Sequence, residues 1–515
     1  MNVNNLITNI KLTLKDRNKI LNLLALLSFV IYLGRGLYFA HRLDVTMDEG
    51  TYLIKGKYYL EGKYHPFEDY GPITNKPPFS FWVLGISQTI FNPGIRSGRY
   101  FAIFISLIFL FGLWLLLKRT TNNIWATTAL WLFAFSSAWI MYYSRATTQI
   151  ITTLFITYSM FFFLGKNRNT GQLAVGLILS ALVVLTRQNL LPFYILSLIY
   201  TLWENGFRKF ALPAFISLGI ILLFHLYYWP NIYIVIWRDY LPGFLKNYID
   251  NLLGLQLENN FGSNFITRDY GWVHELQVLF DCIRIYFIPI VSILFCLFFI
   301  SKSRIKKSND FKSILFVGIS FIFLYIIHYV AAIDNNVFLY SFPAYPAFFL
   351  PLAIIFFPIT YQYTNNESNT FKDIVSVLIV MVITSGIGLS LYRDISSSLM
   401  SLRVPRIRGM RILPGDIEIW ALLKNKFSWG YFDIEYILPT ISGLFIGIVL
   451  CIISFLLWKI FRKKGDIKYS NIIWILVGSL GLILMPTNIF AGQSSINYCL
   501  EGDAIAAHEE EGEYL

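Results

Sequence analysis

The sequence predicts an all-α polytopic membrane protein, with about thirteen transmembrane helices and short interfacial helices in its first outside loop. Three observations carry that expectation. Charged residues make up 14% of 515 positions, against about 25% in a soluble globular chain. Hydrophobic residues make up 56%, and the mean hydropathy is +0.57. Basic residues recur in short clusters between apolar runs, on alternate loops.

A run of about 20 apolar residues crosses a hydrocarbon core. Such runs cover 19–40, 97–117, 123–143, 146–164, 171–187, 189–203, 211–229, 276–300, 313–332, 337–358, 371–391, 436–458 and 471–490. The pair 171–187 and 189–203 is short, and Arg187 interrupts it. Lys11, Lys15, Arg17 and Lys19 precede the first run. With that end in the cytoplasm, Lys118–Arg119, Lys166 with Arg168, Arg208–Lys209, Lys302–Lys307 and Lys459–Lys464 become cytoplasmic too. The loop at 360–372, with Lys372 alone, is weakly basic for that side. Segments 41–96, about 230–275 and 393–435 then lie outside.

The first run is followed by His41-Arg42-Leu43-Asp44, with no small-residue cleavage site, so an uncleaved anchor is expected. The domain reading is a transmembrane unit over 1–490 and an acidic tail over 491–515, expected to be disordered. An integral multi-pass protein of a plasma or inner membrane follows as the expectation. The net charge of +12 does not point to nucleic acid, because the basic residues are spread as topology determinants. Cys282, Cys296, Cys451 and Cys499 show neither metal-ligand spacing nor a disulfide framework. The chain has no internal repeat of the kind that marks inverted-repeat transporters.

The chemistry concentrates in 44–82. Asp48 and Glu49 stand just beyond the first apolar run. Tyr52, Ile54, Tyr58, Tyr59 and Leu60 follow at roughly helical spacing, and Gly62 ends the pattern. Gly71-Pro72 reads as a turn, and Lys76-Pro77-Pro78 opens a second short aromatic segment from Phe79 to Phe91. Adjacent carboxylates at a membrane surface are costly unless solvated or used. One of them can serve as a general base toward a hydroxyl or amine, and a lysine held by prolines can neutralise a phosphate. A base and a cation on one interfacial loop suit a reaction on a phosphate whose lipid tail stays in the bilayer. The plain alternative is a solvated loop with ordinary charges.

The order of an apolar span, Asp48-Glu49-x-x-Tyr52, a later glycine and Lys76-Pro77-Pro78-Phe79 with Trp82 resembles the first loop of the GT-C glycosyltransferases. The likeness is to their protein O-mannosyltransferase and aminoarabinose transferase branch. Ser144-Arg145-Ala146, Thr186-Arg187-Gln188-Asn189 and Tyr340-Ser341-Phe342-Pro343-Ala344-Tyr345-Pro346-Ala347 resemble later family motifs. The resemblance is good over about 20–205, weaker near 335–358 and absent elsewhere. It implies an inverting transfer of a sugar from a polyprenyl-phosphate donor to a lipid, glycan or protein acceptor on the non-cytoplasmic side. Position by position, it implies that Asp48 is the catalytic base and that Glu49 orients acceptor or base. Lys76 would bind the lipid phosphate, and Tyr52 would match the motif's aromatic.

Two departures stand out. Thr51 occupies a position where aminoarabinose transferases often carry arginine. After Arg145 come Thr147, Thr148 and Gln149, where the family usually has an acidic residue; Glu68 and Asp69 are candidate substitutes. No metal site is expected, no cofactor is required, and dependence on a divalent cation should be weak.

Arg145 and Arg187 fall near outer ends of spans and are candidates for phosphate or sugar binding, or else snorkel to the interface. Arg403, Arg406, Arg408 and Arg411 cluster on an outside loop. Arg403 and Arg406 are substrate-binding candidates; contact with anionic headgroups is the alternative for the cluster. His225 and His328 lie in apolar spans and read as packed, hydrogen-bonded residues; His65 and His274 lie in outside loops without ligand spacing. The rival functions are a transporter or flippase of lipid-linked sugars, a polysaccharide polymerase or ligase, and a structural assembly subunit.

Overall fold

The computed structural model describes residues 17–67, 76–238, 241–255, 271–334, 342–364, 370–392, 402–408, 411–430, 432–461 and 468–487. The 491–515 tail, Cys499, Glu68 and Asp69 lie outside the described residues. The protein is a polytopic helical membrane protein. Its first helix, α1 (Arg17–Arg42), is a long apolar one. Two short helices follow, α2 (Met47–Glu61) and α3 (Pro78–Ile90), where the first loop predicts them. Next come α4 (Ile95–Thr120), α5 (Asn123–Phe135), α6 (Ser137–Ser144), α7 (Thr148–Phe163), α8 (Thr170–Thr186) and α9 (Leu191–Tyr227). The later half holds α10 (Gly243–Leu252), α11 (Gly271–Ile285), α12 (Phe287–Phe299), α13 (Lys302–Lys306), α14 (Phe311–Asp334), α15 (Leu350–Tyr361) and α16 (Thr370–Ser390). A hairpin of β1 (Arg403–Arg408) and β2 (Arg411–Glu418) precedes α17 (Ile419–Phe427), α18 (Leu438–Phe461) and α19 (Tyr469–Thr487).

The thirteen apolar runs do not map one to one onto single straight helices. Among the described residues, six helices are long and apolar enough to cross a membrane, or up to nine if each bent pair counts as one span. α7, α8 and the 469–485 part of α19 are shorter apolar helices. The run read as 123–143 bends by 79° between α5 and α6, and the run read as 276–300 bends by 91° between α11 and α12. A third bend, of 60°, separates the turns at Phe342–Phe348 from α15. Conversely, the runs at 189–203 and 211–229 join in α9, whose 37 residues exceed the length of one crossing. Gly206 breaks it at φ 73°, a backbone angle open to glycine. The all-α polytopic fold carries one addition, the antiparallel β1–β2 hairpin, in which Ile407 pairs with Ile412 and Arg408 with Arg411.

A bend in an apolar helix frees carbonyls that lipid cannot satisfy. Each bend here is met by side chains from another element. At the first, Arg35 of α1 donates to the Ala134 carbonyl at 2.6 Å and to Ser137 Oγ at 2.5 Å. At the second, Trp139 Nε1 donates to the Ile285 carbonyl at 3.2 Å. At the third, Tyr286 donates to the Pro343 carbonyl at 2.9 Å, and Tyr143 and Thr153 donate to that of Ala347 at 2.7 and 2.9 Å. The bends are thus linked in series. Trp139 follows the first and caps the second, and Tyr286 sits at the second and caps the third.

The main apolar core joins α1 to α9 with α11, α12, α14 and α15; a second cluster packs Phe287, Val291 and Phe299 against Val380, Ile383, Ile387 and Trp474. The first-loop helices cross with their backbones in contact. A Cβ on Gly85 would stand 2.2 Å from the Gly56 carbonyl carbon, and one on Gly56 would stand 2.2 Å from the Phe81 oxygen.

Gly85→Ala should therefore separate α2 from α3 and destabilise the protein by about 1–3 kcal/mol, the usual range for overpacking. Gly34→Ala, with nothing within 4 Å of the added Cβ, serves as the control. Thermal unfolding in detergent checks this: the Gly85 variant should unfold at a lower temperature, and the Gly34 variant with wild type.

Candidate active site

The site begins at the N-terminus of α2. Thr46 caps the helix: its Oγ1 accepts from the Glu49 amide, and Glu49 Oε2 accepts from the Thr46 amide, each at 3.4 Å. This reciprocal pair satisfies two donors that a helix start leaves free. Successive helical residues point about 100° apart, so Asp48 and Glu49 diverge although they are neighbours. Asp48 is exposed, and Glu49 is fully buried.

Glu49 is engaged by Arg99 of α4, a residue that the sequence reading did not single out. Arg99 Nε and Nη2 donate to the two carboxylate oxygens at 2.8 and 2.7 Å. The same guanidinium donates to the carbonyls of Ala40, Leu43 and Asp44 at 3.0, 2.7 and 3.0 Å. The Ala146 amide adds a bond to Glu49 Oε1 at 3.1 Å. Burial alone would raise the Glu49 pKa; the Arg99 hydrogen bonds and charge, the Arg145 charge and the Ala146 amide outweigh it and hold the carboxyl below its ordinary value. With both oxygens bonded and no exposed surface, Glu49 fastens the site. The expectation that it helps orient the acceptor or the base is one this geometry can meet through the position of its neighbour Asp48. No spacing rule links positions 49 and 99, which explains why the pair was missed.

Asp48 shares a helix face with Tyr52, one turn on. Tyr52 is buried, its ring 4.9 Å from that of Phe81 on α3. Arg187 Nη1 donates to Tyr52 Oη at 3.4 Å. Arg187 ends α8 in an extended conformation, and its guanidinium lies 4.7 Å from the Phe348 ring centroid and 5.7 Å from that of Tyr345. Those rings belong to the aromatic–proline motif read at 340–347 and just beyond it. Lys76 is half-buried, with Pro77 capping α3 and Pro78 opening it. Its pKa is brought down to about 7 by burial first and by the Arg187 charge second, with the Asp48 charge opposing both. The structure thus gathers Asp48, Tyr52, Lys76 and Arg187 within electrostatic reach of one another.

The other candidates fall elsewhere. Arg145 lies beside Glu49 rather than Lys76, and its Nε has no hydrogen-bond partner among the described residues. Arg403 pairs in register with Glu418, and Arg406 bonds Asp416 at 2.5 Å, on an exposed hairpin that packs on itself and α17. Neither joins the Lys76 group. His225 accepts from Trp237 Nε1 at 2.8 Å, and His274 bonds Gln277. Among the described residues no three His, Cys, Asp or Glu side chains form a group that could hold a metal ion.

Glu49→Gln should leave the buried Arg99 charge uncompensated, at a cost of about 3–5 kcal/mol. The sign with pH follows from the depressed carboxyl. Its contribution to stability is complete above the ordinary glutamate value of about 4.3 and is lost as pH falls through the lower folded value. Unfolding measured from pH 7 down to pH 2 should show this acid-linked loss in wild type and its absence in Glu49→Gln.

Comparison with known proteins agrees with the motif reading. Residues 75–234 match the sequence model of the family described as dolichyl-phosphate-mannose-protein mannosyltransferase. The matched segment contains Lys76, Arg145 and Arg187 and begins after Asp48. An uncharacterised protein of Aquifex aeolicus is 24% identical over 382 residues, 72% of this chain and 68% of its own. Among solved structures, ArnT from Cupriavidus metallidurans bound to undecaprenyl phosphate aligns over 93% of this chain and 78% of its own, with 13% identity and a TM-score of 0.46. The Archaeoglobus fulgidus oligosaccharyltransferase aligns over 82% of this chain and 56% of its own, with 13% identity and a TM-score of 0.42. Residues 75–234, under a third of the chain, are thus similar to the family described as dolichyl-phosphate-mannose-protein mannosyltransferase, in keeping with the resemblance carried by the motifs.

Proposed function

We propose that the protein is an inverting membrane glycosyltransferase that moves a sugar from a polyprenyl-phosphate donor to an acceptor on the non-cytoplasmic side. The observation that carries this reading is the meeting of an exposed carboxylate, Asp48, with two cations, Lys76 and Arg187, on elements that close one site. Asp48 accepts a proton from the acceptor's hydroxyl or amine. The freed oxygen or nitrogen forms a bond to the anomeric carbon as the bond from that carbon to the phosphate oxygen breaks. Polyprenyl phosphate departs with the bonding electrons, and its added negative charge is met by Lys76 and Arg187. These cations supply the stabilisation that a metal would otherwise provide, so dependence on a divalent cation should be weak. Glu49 and Arg99 act by position, and Arg145 is a further candidate contact for phosphate or sugar.

The broken helices favour a second reading, a transporter of lipid-linked sugars, since many secondary transporters build their substrate sites at discontinuous helices. Against it, at each of the three bends at least one carbonyl is bonded by a side chain from another element: Ala134 by Arg35, Ile285 by Trp139, Pro343 by Tyr286, and Ala347 by Tyr143 and Thr153. Those groups are engaged in holding the fold.

Asp48→Asn removes the base and keeps the side-chain shape. Its turnover should fall by about 100- to 10,000-fold, with donor binding retained. Lys76→Ala should instead weaken donor binding by about 10- to 100-fold, the worth of a charge-assisted hydrogen bond. Turnover assays and calorimetric binding of the donor separate the two; near-normal turnover in Asp48→Asn would remove the carboxylate from the mechanism.

The lowered Lys76 pKa adds a pH signature. A phosphate binds the ammonium form, which predominates below about pH 7 and declines above it. Donor affinity should therefore decrease between pH 6 and pH 8, by at most about tenfold per unit, and the dependence should flatten in Lys76→Ala. An unchanged slope in that variant would assign the proton to another group.

A further inference from the structure

His328 lies six residues before the end of α14 and is 5% exposed. Its Nδ1 bonds the Leu324 carbonyl at 2.7 Å. A carbonyl only accepts, so Nδ1 carries the proton and the neutral ring presents a lone pair at Nε2. That Nε2 is buried and has no hydrogen-bond partner among the described residues. A buried acceptor without a partner costs about 1–3 kcal/mol, so simple packing does not account for a histidine here. Phenylalanine would fill the same space without that cost.

The ring's surroundings indicate what the lone pair serves. Its centroid lies 5.5 Å from that of Tyr345 and 5.4 Å from that of Phe349. Tyr345 is in turn the ring beneath Arg187, at 5.7 Å. Tyr345 therefore packs against both Arg187 and His328, with the arginine close enough for its charge to act on the imidazole. A group bound through its phosphate to Arg187 would place its next atoms near the aromatic turn that both side chains share. A phosphodiester has no hydrogen to donate, whereas the sugar joined to it is covered in hydroxyls.

We propose that His328 Nε2 accepts a hydrogen bond from a hydroxyl of the sugar carried by the donor, which makes it a sugar-recognition residue of this site. The inference rests on the lipid-phosphate reading above. The test measures binding of undecaprenyl phosphate, undecaprenyl-phosphate mannose and undecaprenyl-phosphate glucose to the full chain in detergent. Wild type should bind at least one sugar-bearing lipid more tightly than the bare phosphate. His328→Phe should lose about three- to tenfold of that preference, the worth of one hydrogen bond, while binding bare undecaprenyl phosphate as wild type does. His328→Gln, which restores an acceptor oxygen, should recover part of the preference. An equal preference in wild type and His328→Phe for both sugars would overturn the proposal. So would an equal loss for the bare phosphate, which would assign His328 to packing. Failure of wild type to bind bare undecaprenyl phosphate would instead overturn the lipid-phosphate reading itself.

Discussion

The guanidinium of Arg99 has five N–H groups, and each has an acceptor: both oxygens of Glu49 and the carbonyls of Ala40, Leu43 and Asp44. Ala40 lies in the last turn of α1, and Leu43 and Asp44 continue the chain just beyond it, where backbone carbonyls lack helical donors. Glu49 lies in the first turn of α2, whose amides lack acceptors. One side chain from α4 thus joins the end of one helix to the start of the next, and the Ala146 amide ties in the turn between α6 and α7. Asp48 is held by this arrangement without taking part in it. Its neighbour is locked inward, so it faces outward, with Tyr52 one turn away and Arg187 bonded to Tyr52.

The second constraint comes from lipid. Helices that bend where water is absent must have their freed carbonyls met by protein. The chain does this in sequence, from Arg35 at the first bend to Trp139 at the second and Tyr286 at the third. The last of these bonds, with those of Tyr143 and Thr153, fixes the Phe342–Phe348 turns against the early half of the protein. Tyr345 and Phe348 then lie under Arg187. The contact of residues 187 and 345 lies beside the last of the three capped breaks.

Local patterns in the sequence revealed local structure. The helical spacing after Asp48, the stop at Gly62 and the prolines at 77 and 78 correspond to α2 and α3 within a residue or two. The long apolar runs gave α1, α4, α14, α16 and α18. The bends were hidden, because an apolar run reads the same whether straight or bent by 91°. Their caps, Arg35 and Trp139, act on residues about 100 or more positions away. The hairpin was hidden by its short strands and its many arginines, which read as a charged loop. In the site, motif order marked Asp48, Lys76 and Arg187, and geometry brings them together. The arginines at 403 and 406 had the right chemistry for phosphate but sit on a separate hairpin, one of them already paired with Asp416. Arg99 and His328 were the reverse case: an arginine at the start of one apolar span and a histidine within another, whose meaning depends on a partner, or on the lack of one, that only the folded chain defines.

The central claim is that this arrangement breaks the bond between a sugar and a lipid phosphate rather than carrying the intact lipid across the membrane. The most direct measurement reconstitutes the protein in sealed proteoliposomes with a polyprenyl-phosphate sugar labelled in the sugar, supplies candidate acceptors, and follows the label's attachment over time. The account predicts that label leaves the lipid fraction and appears on acceptor or in water, with polyprenyl phosphate formed in equal amount. Label that stays on the lipid and moves only from one leaflet to the other would contradict it and establish the protein as a transporter.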